Sequence, residues 1–172
     1  NTAFFQLRLK KFDKNTVFRI AKRIKKITKK YKVKFLINDY YSIALKVGAD
    51  GCHIGQLDGS LKILRKKMGK KILGITCHNS KILAQTSLRY KPDYLAFGSF
   101  YKSKLKPKAS KANLNILKWA YKNLKIPIVV IGGINNKNFR KLIKLGANYI
   151  AISSFIWDNP KLKPDKAIKK FR

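Results

Sequence analysis

The sequence predicts an α/β fold of the (β/α)8 TIM barrel type, and three observations carry that prediction. Short apolar runs rich in branched residues alternate with longer segments of helical period, the pattern of parallel strands joined by crossover helices. No long linker, low-complexity stretch or shift of composition interrupts the alternation over 172 residues, so a single domain spanning 1–172 is expected. Seven βα units are visible, whereas a closed barrel has eight and normally needs at least about 200 residues. The chain starts at Asn1, with no initiator Met, and runs almost directly into a strand. The expectation is therefore a barrel domain that lacks its first βα unit and is incomplete at its N-terminus. An open doubly wound sheet is the other arrangement of the same units.

The first strand is expected at Ala3 to Leu7. Lys14 to Lys30 then places Val17, Ile20, Ala21, Ile24 and Ile27 on one face with lysines around the rest, an amphipathic helix with Asp13 or Asn15 as its N-cap. Strand two, Lys34 to Ile37, leads into a helix at Tyr41 to Val47. The third strand, Gly51 to Ile54, is followed by a helix at Gly59 to Met68, and the fourth, Ile72 to Ile75, by one at Ser80 to Tyr90. Tyr94 to Phe97 precedes the helix Ala112 to Leu124, and Ile128 to Ile131 precedes Asn136 to Leu145. The last pair is Tyr149 to Ile152 and Pro160 to Phe171. Gly48, Gly69 and Gly146 stand at three helix ends, as C-terminal capping glycines do.

Composition narrows the function classes. Lys and Arg number 41 against 7 acids, a formal charge of +34, yet 45% hydrophobic and 12% aromatic residues are too many for a disordered basic tail. A polyanion partner is one reading of the charge. Compositional drift is the other, and it is favoured over nucleic acid because the basic residues are spread through almost every segment. No apolar run reaches the roughly 18 to 20 residues of a membrane span, and no signal-peptide pattern is present. Two cysteines, Cys52 and Cys77, are too few for a disulfide framework and fit a reducing compartment. A soluble cytoplasmic protein with no membrane partner is expected.

In a barrel of this type the C-terminal strand ends form the active face. Gln6, Arg8 and Lys10 alternate after the first strand, which sets them on one side of an extended segment; an exposed strand in a lysine-rich protein is the plainer alternative. Asn38 and Asp39 close the second strand, and His53, Gly55, Gln56 and Asp58 follow the third. All seven acids are aspartates, at 13, 39, 50, 58, 93, 158 and 165. Two of them at neighbouring strand ends, beside Gln6, Arg8 and Lys10, point to Mg2+ held together with a polyphosphate, although either could cap the helix after it. Gly132 and Gly133 precede a helix, where the backbone can approach a phosphate. Ser153 and Ser154 end the last strand, and loops after the last two strands are the usual phosphate site of such barrels. The dipeptides Cys52-His53 and Cys77-His78 contain zinc-ligand types. Adjacent strand residues point to opposite faces, so buried cysteines are the ordinary reading.

Together the stretches FQLRLK (Phe5 to Lys10), LINDY (Leu36 to Tyr40), GADGCHIGQLD (Gly48 to Asp58), LGITCHN (Leu73 to Asn79), DYLAFGSFYKSKLK (Asp93 to Lys106), IPIVVIGGI (Ile126 to Ile134) and GANYIAISS (Gly146 to Ser154) resemble the thiamine phosphate synthase family in register. Those enzymes are (β/α)8 barrel transferases that join hydroxymethylpyrimidine diphosphate to thiazole phosphate and release pyrophosphate. The resemblance implies that Gln6, Arg8, Lys10 and Asn38 bind the diphosphate and that Asp39 and Asp58 hold Mg2+. Thr76 is placed near the pyrimidine substrate and Lys106 at the departing pyrophosphate, while Gly133, Ser153 and Ser154 match the thiazole phosphate pocket. One loop departs from the family's Pro-Thr-x-Thr-Lys: here it reads Lys102, Ser103, Lys104, Leu105, Lys106. Ser103 keeps a hydroxyl for the thiazole substrate and Leu105 does not. The rival readings are the thiazole tautomerase paralogue, which needs no diphosphate and metal site, a basic nucleic-acid-binding barrel, and a pseudoenzyme.

Overall fold

The computed structural model describes residues 2–56, 59–102 and 111–171. Its elements are β1 (Phe4–Leu7), α1 (Lys14–Lys30), β2 (Lys34–Asn38), α2 (Tyr41–Lys46), β3 (Gly51–Ile54), α3 (Leu61–Met68), β4 (Ile72–His78), α4 (Lys81–Leu88), β5 (Tyr94–Gly98), α5 (Leu114–Asn123), β6 (Ile128–Ile131), α6 (Phe139–Lys144), β7 (Tyr149–Ala151), α7 (Ser154–Trp157) and α8 (Pro164–Ile168), closed by a 3-10 turn at Lys169–Phe171. They fall into two compact units, Asn1–Thr76 with Ser87–Asp93, and Cys77–Thr86 with Tyr94–Arg172. Among the described residues no helix is long and apolar enough to cross a membrane.

In the first unit β1 pairs with β2, β2 with β3 and β3 with β4, all parallel. Phe35, Ile37, Cys52, Ile54, Leu73 and Ile75 alternate along these strands and are completely buried, as the two-residue period requires. The other face carries Leu36 and then, toward the C-terminal ends, Gln6, Asn38, His53 and Thr76. Helix α1 begins where the Thr16 N–H donates to the Asp13 carboxylate at 3.0 Å, so Asp13 is the cap. The Thr16 hydroxyl and then its N–H, both bonded to the carboxylate, hold the Asp13 carboxyl below its ordinary value. Val17, Ala21 and Thr28 form the buried stripe. Ile27, expected on that stripe, is exposed: Thr28 lies eleven residues, about three full turns, beyond Val17 and takes the inward place. The outer face presents Arg19, Lys22, Arg23, Lys26, Lys29 and Lys30, all exposed, with no acid anywhere in the helix.

Register is clamped at the N-terminal strand ends. The Phe35 N–H donates to Asp50 at 3.0 Å, and the Leu73 N–H donates to Asp93 at 2.8 Å. Arg65 ties the end of α3 to the same region, donating to the carbonyls of Gly69 and Lys71 and to Asp93. Burial raises the Asp50 pKa, but the Lys25 ammonium at 2.7 Å, the Phe35 N–H and the charges of Lys25 and Lys34 together bring it below the ordinary value. The folded value lies under the unfolded one, so this stabilisation is present above about pH 4 and is lost as pH falls through the folded value. Asp50→Asn should therefore cost about 1–2 kcal/mol at pH 7, and the gap to wild type should narrow below about pH 4. Urea unfolding at the two pH values measures both.

In the second unit β5, β6 and β7 are parallel, with Gly98↔Ile131 and Ile131↔Ala151 in register. Leu95, Phe97, Leu117, Ala120, Val130 and Leu142 are fully buried. The clamp recurs here with an amide: the Ile128 N–H donates to Asn148 at 2.8 Å. The seven strands fall where the sequence places them, β4 running on to His78. Helix α6 starts at Phe139 and not near 136, because the Asn135 side chain accepts from the N–H groups of Lys137 and Asn138 and keeps 135–138 in a turn. Asn113 likewise sets the start of α5 by accepting from the Ile116 N–H. The last helix begins at Pro164, its first position, where a missing N–H does no harm. Helix α7, four residues long, has no counterpart among the helices that the periodicity predicts.

Candidate active site

The first unit gathers a polar row at its C-terminal strand ends. Gln6 donates to Asn38 at 2.8 Å, and Asn38 is only 8% exposed. In the parallel register Asn38 stands opposite His53, and His53 opposite Gly74, two residues short of Thr76. The His53 Nε2 lies 2.8 Å from the Thr76 hydroxyl, while the Gln56 amide donates to the Thr76 carbonyl. Asp39 adopts φ 65°, a left-handed conformation that Asp tolerates better than most residues. Its N–H donates to the His53 carbonyl at 2.8 Å, and its carboxylate receives Lys10 Nζ at 3.0 Å. It does not cap α2, whose N-cap is Tyr40 with no side-chain bond.

Gln6, Lys10, Asn38, Asp39 and Thr76 thus stand on neighbouring strand ends of one unit. Arg8 is exposed just beyond β1. The extended run expected from Gln6 through Lys10 ends early: pairing with β2 stops at Leu7↔Ile37, and Lys10 lies in a turn leading to the α1 cap. It reaches Asp39 all the same.

The second unit holds the other cluster. Gly132 and Gly133, at φ 104° and 60°, follow β6. A Cβ on Gly132 would lie 2.6 Å from Ser99 Cα, and one on Gly133 would lie 2.8 Å from Tyr101 Cβ. The Gly132 carbonyl accepts from the Tyr101 N–H and the Gly133 carbonyl from the Asn138 side chain. The register Ile131↔Ala151 sets this loop beside the end of β7, after which Ser153 is the N-cap of α7 without using its hydroxyl for capping. Gly133, Ser153 and Ser154 are therefore together past adjacent strand ends. Asp58, Ser103, Leu105 and Lys106 lie outside the described residues.

Cys52 and Cys77 are fully buried thiols outside any disulfide. Among the described residues no three of His, Cys, Asp and Glu are grouped to hold a metal. The sequence marks His53 and Gln56 only as polar residues following the third strand and singles out neither Asn135 nor Asn138. Their partners are set by strand register or by the loop that closes on Gly133; the only local signal was the polar alternation of His53 within β3.

Residues 1–156 match the family described as thiamine monophosphate synthase. The thiamine-phosphate synthase of Pelagibacter ubique is 50% identical over 170 residues, covering 99% of this chain and 82% of that protein. The thiamine-phosphate synthase of Erythrobacter litoralis is 38% identical over 156 residues, covering 89% and 73%. The solved thiamine phosphate pyrophosphorylase of Pyrococcus furiosus matches with a TM-score of 0.90 at 28% identity, over 99% of this chain and 81% of that one. A family model matched over residues 1–156, relatives of 50% and 38% identity and a solved structure of the same fold agree, and the chain belongs to the thiamine monophosphate synthase family.

Proposed function

We propose that this protein is a thiamine phosphate synthase, a transferase that joins hydroxymethylpyrimidine diphosphate to thiazole phosphate and releases pyrophosphate. The observation that carries the reading is the pairing of Gln6 with Asn38 and of Lys10 with Asp39 at neighbouring strand ends. A tautomerase acting on the thiazole alone has no use for that set. Two buried cysteines kept as thiols are in keeping with a reducing cytoplasm.

Asp39 suits a divalent cation because its carboxylate already accepts a cationic group, the Lys10 ammonium, and Asp58 is the second carboxylate that the sequence offers. Mg2+ bound there would supply positive charge to the diphosphate oxygens. Gln6 and Asn38 bind and orient the diphosphate, and Arg8, Lys10 and Lys106 neutralise it as it departs. Each unit charge near 4 Å contributes roughly 4 kcal/mol at an effective dielectric of about 20, so a few such groups account for much of the acceleration. The Thr76 hydroxyl, oriented by His53, meets the pyrimidine substrate. Loss of pyrophosphate leaves a ring-stabilised methylene cation, which the thiazole nitrogen attacks through its lone pair. No proton moves in that step, so the site needs no general base.

Gly133, Ser153 and Ser154 receive the thiazole phosphate. With the Gly132 and Gly133 carbonyls turned to protein donors, the approaching anion meets N–H and hydroxyl groups. Ser103 adds a hydroxyl from the divergent loop; Leu105 removes one. The test is pyrophosphate release, expected only with both substrates and Mg2+ present. Absence of the coupled product with both substrates would sink this reading.

A further inference from the structure

Asp39 is held firmly and Lys10 loosely. The Asp39 N–H donates to the His53 carbonyl, its own carbonyl accepts from the Tyr41 N–H at 3.1 Å, and its side chain is 15% exposed. Lys10 extends from a solvent-facing turn on a flexible four-carbon stem, with its side chain 48% exposed. Half-exposed ion pairs of this kind are weak, so a divalent cation with two charges readily takes the carboxylate from the ammonium. The residue before Asp39 is Asn38, already paired with Gln6, so a displaced ammonium is left beside the groups assigned to the diphosphate.

We infer that Lys10 is a stand-in cation. It neutralises Asp39 in the metal-free protein, and on metal binding it exchanges the carboxylate for the diphosphate. This rests on the diphosphate reading above and adds an order to it: metal first, then a basic side chain released to the anion. Metal and anion then bind with positive coupling, and by linkage each tightens the other by the same factor.

The test is a binding cycle that needs no turnover. Mn2+ alone and pyrophosphate alone, then each in the presence of the other, are titrated against wild type, Lys10→Met, Asp39→Asn and the double variant. Mn2+ binding is read by electron paramagnetic resonance and pyrophosphate binding by calorimetry. Lys10→Met should bind Mn2+ alone about 5- to 10-fold more tightly than wild type, yet bind pyrophosphate in the presence of Mn2+ more weakly by a similar factor. Without metal, Asp39→Asn should tighten pyrophosphate binding by about 5- to 10-fold, and Lys10→Met should abolish that gain. A gain that persists without Lys10 is a general field effect and overturns the exchange, as does an unchanged Mn2+ affinity in Lys10→Met. If wild type binds pyrophosphate with Mn2+ but shows no coupling, the exchange fails and the diphosphate site stands. If it binds neither, both fail.

Discussion

Asp39→Asn should lower Mg2+-supported turnover by about 100- to 1,000-fold, the usual loss when a charge-stabilising group is removed from a site of this chemistry. Folding should hardly change. The residue makes no cap, and its partner Lys10 is half exposed, so the lost ion pair is worth at most about 1 kcal/mol. In a chain of this size that shifts Tm by no more than about 4 °C. Asn is the informative replacement because φ is 65° here, and Ala would add a left-handed backbone penalty of roughly 1–2 kcal/mol. Initial rates across a Mg2+ series, with thermal unfolding alongside, separate the two effects. Full activity at ordinary Mg2+ would remove Asp39 from the proposed metal site.

Gly132→Ala should damage fold and function together. The added methyl meets the Ser99 side chain and lies 2.6 Å from its Cα, and φ of 104° is outside the region that even Asn or Asp visits comfortably. Overpacking and backbone strain together should cost about 2–5 kcal/mol, lowering Tm by roughly 5–15 °C. The surviving folded protein should show a raised KM for thiazole phosphate with less change in that for the pyrimidine diphosphate, whose proposed partners Gln6 and Asn38 are in the other unit. Gly48→Ala is the control. Its φ of 65° lies in the ordinary left-handed region and its Cβ would meet open space, so only the left-handed penalty of roughly 1–2 kcal/mol should remain.

Much of the fold was legible because its main signal is local. Runs such as Ile128 to Ile131 and the one-sided stripe of α1 need no partner to be recognised. The misplacements have equally local causes: Asn135 holds a turn before α6, and Pro164, not Pro160, opens the last helix. The site was legible in a different way. Gln6, Asn38 and Asp39 stood out as polar residues at strand ends and Thr76 through the family resemblance alone, but Gln6 with Asn38 and His53 with Thr76 are 32 and 23 residues apart, and only parallel register joins them. The clamps at Asp50, Asp93 and Asn148 left a trace in GAD, KPD and GAN, each just before a strand. Read by type alone, those side chains are ordinary turn residues.

The outer face of α1 has a consequence for how the protein responds to its solvent. Six cationic side chains stand on that face with no acid in the helix, and the chain as a whole sets 41 basic residues against 7 acids, a net charge of +34. Attraction between surface charges is therefore scarce and repulsion plentiful. Dissolved ions shorten the reach of both, to about 8 Å at physiological ionic strength, and here they relieve far more repulsion than they remove attraction. Moderate salt is thus a stabiliser of this molecule, the reverse of its effect on a surface laced with balanced charge.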